Sequence, residues 1–284
     1  MNIPATPTAV EVATQRFAPA RMRRTVLEMA YAGSTVHIAC AFSIIEIVSV
    51  LYRNHLRYPN NDPRAEGRDY LVLSKGHGVM AQYACMRELG WLDDSDIKGY
   101  FADGSALKGL SDSRVPGLEV TSGSLGHGLS VGVGIAMGLK RKCSDRKVYA
   151  ILGDGELNEG PIWEGALVAA HHLLDNLMLI VDKNGFQAMG TTDEVLALGD
   201  LSAKFSSFGF ETLEVDGHDE SAVDSAIQSL WIAGEGRPKV LIARTIKGKG
   251  VPFMESDNRW HYTRLSAETY KEAVQALTLP GAAK

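Results

Sequence analysis

The chain has 284 residues, 45% of them hydrophobic and 22% charged, with a formal net charge of −5. That composition is ordinary for a globular protein, and the length allows a full core without disulfide or metal staples. The mild acidity argues against nucleic acid or an anionic membrane as main partner, and no apolar run approaches the roughly 18 residues of a membrane span.

In chain order, residues 1–13 lack the basic-then-apolar order of an export signal, so a cytoplasmic location is expected. Apolar periodicity near 3.6 predicts helices over about 21–32 and 43–56. Residues 70–73 are a short apolar run that stops at Ser74-Lys75-Gly76-His77-Gly78, a strand ending in a tight loop, with a helix over 79–89 behind it. A glycine-rich stretch, 121–128, leads into a small-residue helix over 129–139. Buried-strand runs at 148–152 and 177–181 enclose a helix at 162–172, a βαβ pattern that implies a parallel sheet. Strands at 212–215 and 239–243 around a helix near 220–233 repeat it. The expected fold class is therefore α/β, a parallel sheet flanked by helices on both faces, in a single domain over 1–284 with loose ends before about 17 and after about 278. Cys40, Cys85 and Cys143 are too few and too scattered for a zinc site or a disulfide framework, and read as thiols in a reducing compartment.

Open parallel sheets bind ligands beyond the carboxyl ends of their strands. Gly153-Asp154-Gly155-Glu156 follows one buried strand and Asp182-Lys183-Asn184-Gly185 the next. Asp154 and Asn184 thus offer a carboxylate and an amide oxygen toward one crevice. Mg2+, with Ca2+ or Mn2+ as substitutes, takes few protein oxygens and completes its shell with phosphate and water. Glycines on each side of Asp154 permit a turn that larger residues block, and let a diphosphate approach. Either tetrapeptide alone is an ordinary turn. Their joint placement across a βαβ unit points to a metal–diphosphate site.

Gly153-Asp154-Gly155, about thirty residues of βαβ and then Asn184 resemble the thiamine-diphosphate fingerprint. Residues 153–164, Gly-Asp-Gly-Glu-Leu-Asn-Glu-Gly-Pro-Ile-Trp-Glu, are more specifically similar to the transketolase family in its short form, split between two chains. The resemblance runs from about 21 to 261. It implies the thiamine-diphosphate-binding fold, with Asp154, Asn184 and the backbone carbonyl of Phe186 holding the metal that bridges the cofactor's diphosphate. Gly153, Gly155 and Glu156 would lie beside it. His77 would touch the diphosphate, and Gly123, Ser124 and Leu125 would border the cofactor, Leu125 near its aminopyrimidine. His37 corresponds to a donor-side histidine, and His261, beyond a closing loop at 247–251, to another active-site imidazole. Glu159 matches a glutamate at the subunit interface that communicates with the catalytic glutamate of the partner. It is equally suited to the positive end of a helix.

The resemblance also implies a second subunit, carrying the pyrimidine-binding domain and its glutamate, in an α2β2 heterotetramer. Two departures from the family pattern bear on the small-molecule donor and acceptor. Gly109-Leu110-Ser111 stands where the family has Gly-His-Pro, and His37-Ile38-Ala39-Cys40 where it has His-Pro-Gly-Gly. Leu110 cannot hydrogen-bond a donor hydroxyl, so the donor is left open between a ketose and a pyruvate-like acid. The acceptor is open between an aldehyde, a lipoyl arm and a carrier-protein thiol. The rival readings are a first component of a 2-oxoacid dehydrogenase-like or carrier-loading acyl transfer complex, and a cofactor-binding module without turnover.

Overall fold

The computed structural model describes residues 15–34, 36–233 and 236–278, so the expectation of loose ends falls almost wholly outside the described residues. Among the described residues seven strands occur, in chain order: β1 (Tyr70–Leu73), β2 (Val148–Gly153), β3 (Leu177–Lys183), β4 (Phe186–Gln187), β5 (Gly190–Thr191), β6 (Glu211–Asp216) and β7 (Lys239–Arg244). β4 and β5 pair as a small hairpin. The other five form a parallel sheet in the spatial order β1-β2-β3-β7-β6.

The central strands are apolar on both faces because both are covered. On one face Leu73, Ile151, Ile180 and Leu241 meet the helices Pro19–Ala32, Val79–Leu89 and Glu220–Ile232. On the other, Val72, Ala150, Leu179 and Ile242 meet His127–Arg141 and Gly160–His171. The parallel α/β expectation holds.

Two boundaries differ from the sequence reading. The single helix expected over 43–56 starts at Ile45 and divides into Ile45–Val50 and a π-helical turn, Leu51–His55, and a break at Ser43 separates it from a further short helix, Ile38–Phe42. At that break the Ser43 hydroxyl turns inward, 3.1 Å from the Cys40 carbonyl and 2.7 Å from Asp182 Oδ2, so a side chain competes with the helical ladder. β2 and β3 also outrun their apolar stretches, and Gly153 pairs with Asp182. That register sets Asp154 and Asn184 side by side at one end of the sheet. At the same end Val36 and Thr263 exchange two backbone hydrogen bonds, 2.9 and 3.1 Å, clamping together two segments far apart in the chain.

Candidate active site

Beyond the carboxyl ends of β1, β2 and β3 lies a cleft of about 110 Å3. Its wall includes His77, Leu125, Gly153, Asp154, Gly155, Glu156, Glu159, Asn184, Phe186 and His261, all expected from the sequence. Cys40, Lys75, Asn158, Gln187 and Lys247 complete the wall.

The loops that make the cleft are pressed together where only glycine fits. A Cβ on Gly128, at the start of the helix His127–Arg141, would lie 2.6 Å from the Cα of Ser74. One on Gly126, at φ +85°, would lie 2.7 Å from Cβ of Glu159. Glu156 ties the same loops by hydrogen bonds. Its Oε1 accepts from Ser74 Oγ at 2.5 Å and Gly126 N at 2.8 Å, and its Oε2 from Gly153 N at 3.2 Å. With three partners inside the protein, this carboxylate is a clamp for the cleft.

The two oxygen donors are held from behind. Asp154 Oδ2 accepts from Gly185 N at 2.5 Å and Oδ1 from Gly155 N at 2.8 Å. Asn184 Oδ1 accepts from Phe186 N at 3.1 Å, while its Nδ2 donates to Asp182 Oδ2 at 2.9 Å. A carboxylate can only accept and a backbone N–H can only donate, so the amide orientation is fixed from both sides. Asp182 is fully buried and also receives Lys75 Nζ, Ser43 Oγ and Thr245 Oγ1. Burial, reinforced by the nearby Asp182 carboxylate, pushes Asp154 up to about 7. A divalent cation would offset that unfavourable burial of charge. Among the described residues no three His, Cys, Asp or Glu side chains gather as a metal cage. One carboxylate and one amide oxygen beside a cleft fit a cation that draws its remaining ligands from a diphosphate.

Two imidazoles of the wall, His77 and His261, stand together with a third, His37, which lies beside the wall. His37 lies 5.0 Å from His77 and 5.2 Å from His261, ring centre to ring centre, with His77 and His261 5.8 Å apart. The Val36–Thr263 bridge brings His37 and His261 together across the chain. Burial, then the charges of Lys247 and Lys75, lowers His37 to about 4. Burial and Lys247 lower His261 to about 3, and burial with Lys75 holds His77 well below the usual range. All three are neutral at pH 7, each offering one N–H and one acceptor nitrogen. Tyr262 rests against His37 at 4.7 Å and is largely exposed.

Some expected residues lie beside the cleft. Leu110 packs on Gly123, whose Cβ would meet it at 2.9 Å, and is half exposed. Ser124 Oγ pairs with His127 Nδ1 at 3.2 Å. Sequence reasoning gives no role to Lys75, Asp182 or Lys247, although all three are buried. For Lys75 and Asp182 the available signal is a charged residue at the end of an apolar strand, since such charges are buried as a pair.

Residues 20–282 match the family described as the transketolase, thiamine diphosphate binding domain. The chain is 37% identical over 271 residues to one of the subunits of the apulose-4-phosphate transketolase of Phocaeicola vulgatus, covering 95% of each. It is 35% identical to the 6-deoxy-6-sulfo-D-fructose transketolase subunit of Clostridium sp., covering 92% of this chain and 95% of that one. Among solved structures it is similar to transketolase from Leishmania mexicana, TM-score 0.84 at 24% identity, and from Campylobacter jejuni, 0.83 at 27%. It spans 98% and 100% of its own length in these, but only 44% and 45% of theirs.

Proposed function

The chain belongs to the family of the transketolase thiamine-diphosphate-binding domain, and from that premise we propose that it is the cofactor-binding subunit of a split transketolase. A second polypeptide would supply the pyrimidine-binding half and its glutamate, in an α2β2 assembly. The relatives that match over nearly their whole length are each named as one subunit of a transketolase, which supports a partner. Three free thiols suit a reducing cytoplasm, and among the described residues no helix is long and apolar enough to cross a membrane.

Asp154, Asn184 and the Phe186 carbonyl would hold Mg2+ against the diphosphate, with His77 beside it. Thiamine diphosphate supplies, when bound, the carbon nucleophile that carries the two-carbon unit. The protein's own contribution is to orient and desolvate. Apolar packing and the clamped loops keep the cleft narrow, and the neutral imidazoles of His37 and His261 can each bind a hydroxyl or carbonyl oxygen and move a proton at it. Glu159, in the cleft wall at the head of the helix Gly160–His171, would face the partner.

The observation that carries this reading is the joining of Asp154 and Asn184 to a triangle of neutral imidazoles. It also bears on the donor. Several hydrogen-bonding groups suit a hydroxylated ketose, whereas a methyl ketone leaves them unpaired in a buried site. Leu110 lies outside the cleft wall, packed on Gly123. In the complex with its partner, thiamine diphosphate should bind only with a divalent cation, and Asp154→Ala or Asn184→Ala should abolish that binding. Calorimetric titration showing unchanged affinity in both variants would remove the assignment.

A further inference from the structure

We infer that Lys247 is a positioning residue for His261, occupying Nδ1 of its imidazole and leaving Nε2 as the N–H presented to the cleft. Lys247 is fully buried, and an ammonium has three protons and no lone pair. Its Nζ lies 2.6 Å from Asn258 Oδ1 and 2.7 Å from His261 Nδ1, and 5.4 Å from the centre of the Phe186 ring. Cys40 Sγ, a thiol kept protonated by burial, is the other neighbour of Nδ1 at 3.6 Å. Only donors meet that nitrogen. A neutral ring so held must carry its proton on Nε2, which has no protein partner among the described hydrogen bonds.

The lysine is itself fixed. Ser256 N donates to its carbonyl at 2.9 Å, and Gly248 N donates to the Ala39 carbonyl at 3.1 Å. A Cβ at Gly248 would collide with the Met254 carbonyl oxygen, so the backbone next to Lys247 has no room to move. Asn258 is anchored in turn, its Nδ2 donating to the Ala188 carbonyl at 3.1 Å. His261 is therefore set as a hydrogen-bond donor toward whatever oxygen enters the cleft.

The chain labelled with 15N-histidine tests this directly. At pH 7 the His261 nitrogens, assigned by their loss in His261→Gln, should show the widely separated shifts of one tautomer, with the proton on Nε2. Lys247→Met fills similar volume without a donor, and should draw the two shifts toward the average of a free neutral imidazole. Lys247→Arg, which keeps donors, should preserve the separation. A wild-type spectrum with the proton on Nδ1, or already averaged, overturns the inference even if the methionine variant does not fold. An unchanged spectrum in a folded Lys247→Met chain overturns it too. A second arm rests on the functional reading above. In the active complex, His261→Gln, whose amide nitrogen reaches toward Nε2, should retain about tenfold more kcat/KM than His261→Asn, which reaches only Nδ1. Equal losses in the two overturn the inference. Absence of ketol transfer in the wild-type complex would count against the functional reading alone, because the spectra need no substrate.

Discussion

Glu46 is buried between Arg23 and His218, which share it. Arg23 Nη1 and Nη2 reach its oxygens at 2.7 and 2.9 Å, and His218 Nδ1 donates to it at 3.0 Å while His218 Nε2 accepts from Ile246 N at 2.7 Å. Burial alone would raise this carboxyl, but Arg23 and the His218 bond outweigh it and hold Glu46 at about 2. A group whose folded pKa lies below its unfolded value stabilises the fold above the unfolded value, and that stability is lost as pH falls. For Glu46 the window runs from about 4.5 down to about 2. Its contribution is on the order of 3 kcal/mol at neutral pH. Glu46→Gln should therefore lower stability at pH 7 and flatten the decline of stability over this window, measured by denaturant titration at each pH. An acid profile parallel to the wild type would show that Glu46 is not the titrating group.

At the scale of elements, the helix His127–Arg141 offers a paired test. Gly128 is pressed on the loop after β1, whereas Gly134 has open space where a Cβ would go. Gly128→Ala should destabilise by about 1–3 kcal/mol through forced displacement. Gly134→Ala should be neutral or stabilising by about 0.5–1 kcal/mol, as expected for alanine within a helix. Equal shifts in denaturation midpoint would show that the close approach to Ser74 is not what Gly128 serves. The same contrast explains what is legible in the sequence. The buried strands stand out as apolar runs, and Asp154 and Asn184 follow from the tetrapeptides at their ends. The last pairs of β2 and β3 are hidden because Asp182 looks like a loop residue until Lys75 is seen beside it. The break at Ser43 is hidden for the same reason, since a hydroxyl bond to Asp182 is tertiary.

For the whole molecule, the proposed assembly makes a simple demand. The purified chain should show no ketol transfer from a ketose donor, and activity should rise on adding the partner and saturate at one partner per chain. Full turnover by this chain alone would end the split-enzyme reading. The bridge between Val36 and Thr263 has a consequence for the life of the chain in the cell. Closing so long a loop is slow, so this contact forms after local structure. During synthesis His37 emerges early and must wait until Thr263 has left the ribosome. All five sheet strands end by Arg244, upstream of His261. A chain cut short between these points keeps every strand of its sheet and lacks one of its imidazoles. Catalytic competence then reports that synthesis ran past the bridge, and a clipped chain would compete for the partner without contributing activity.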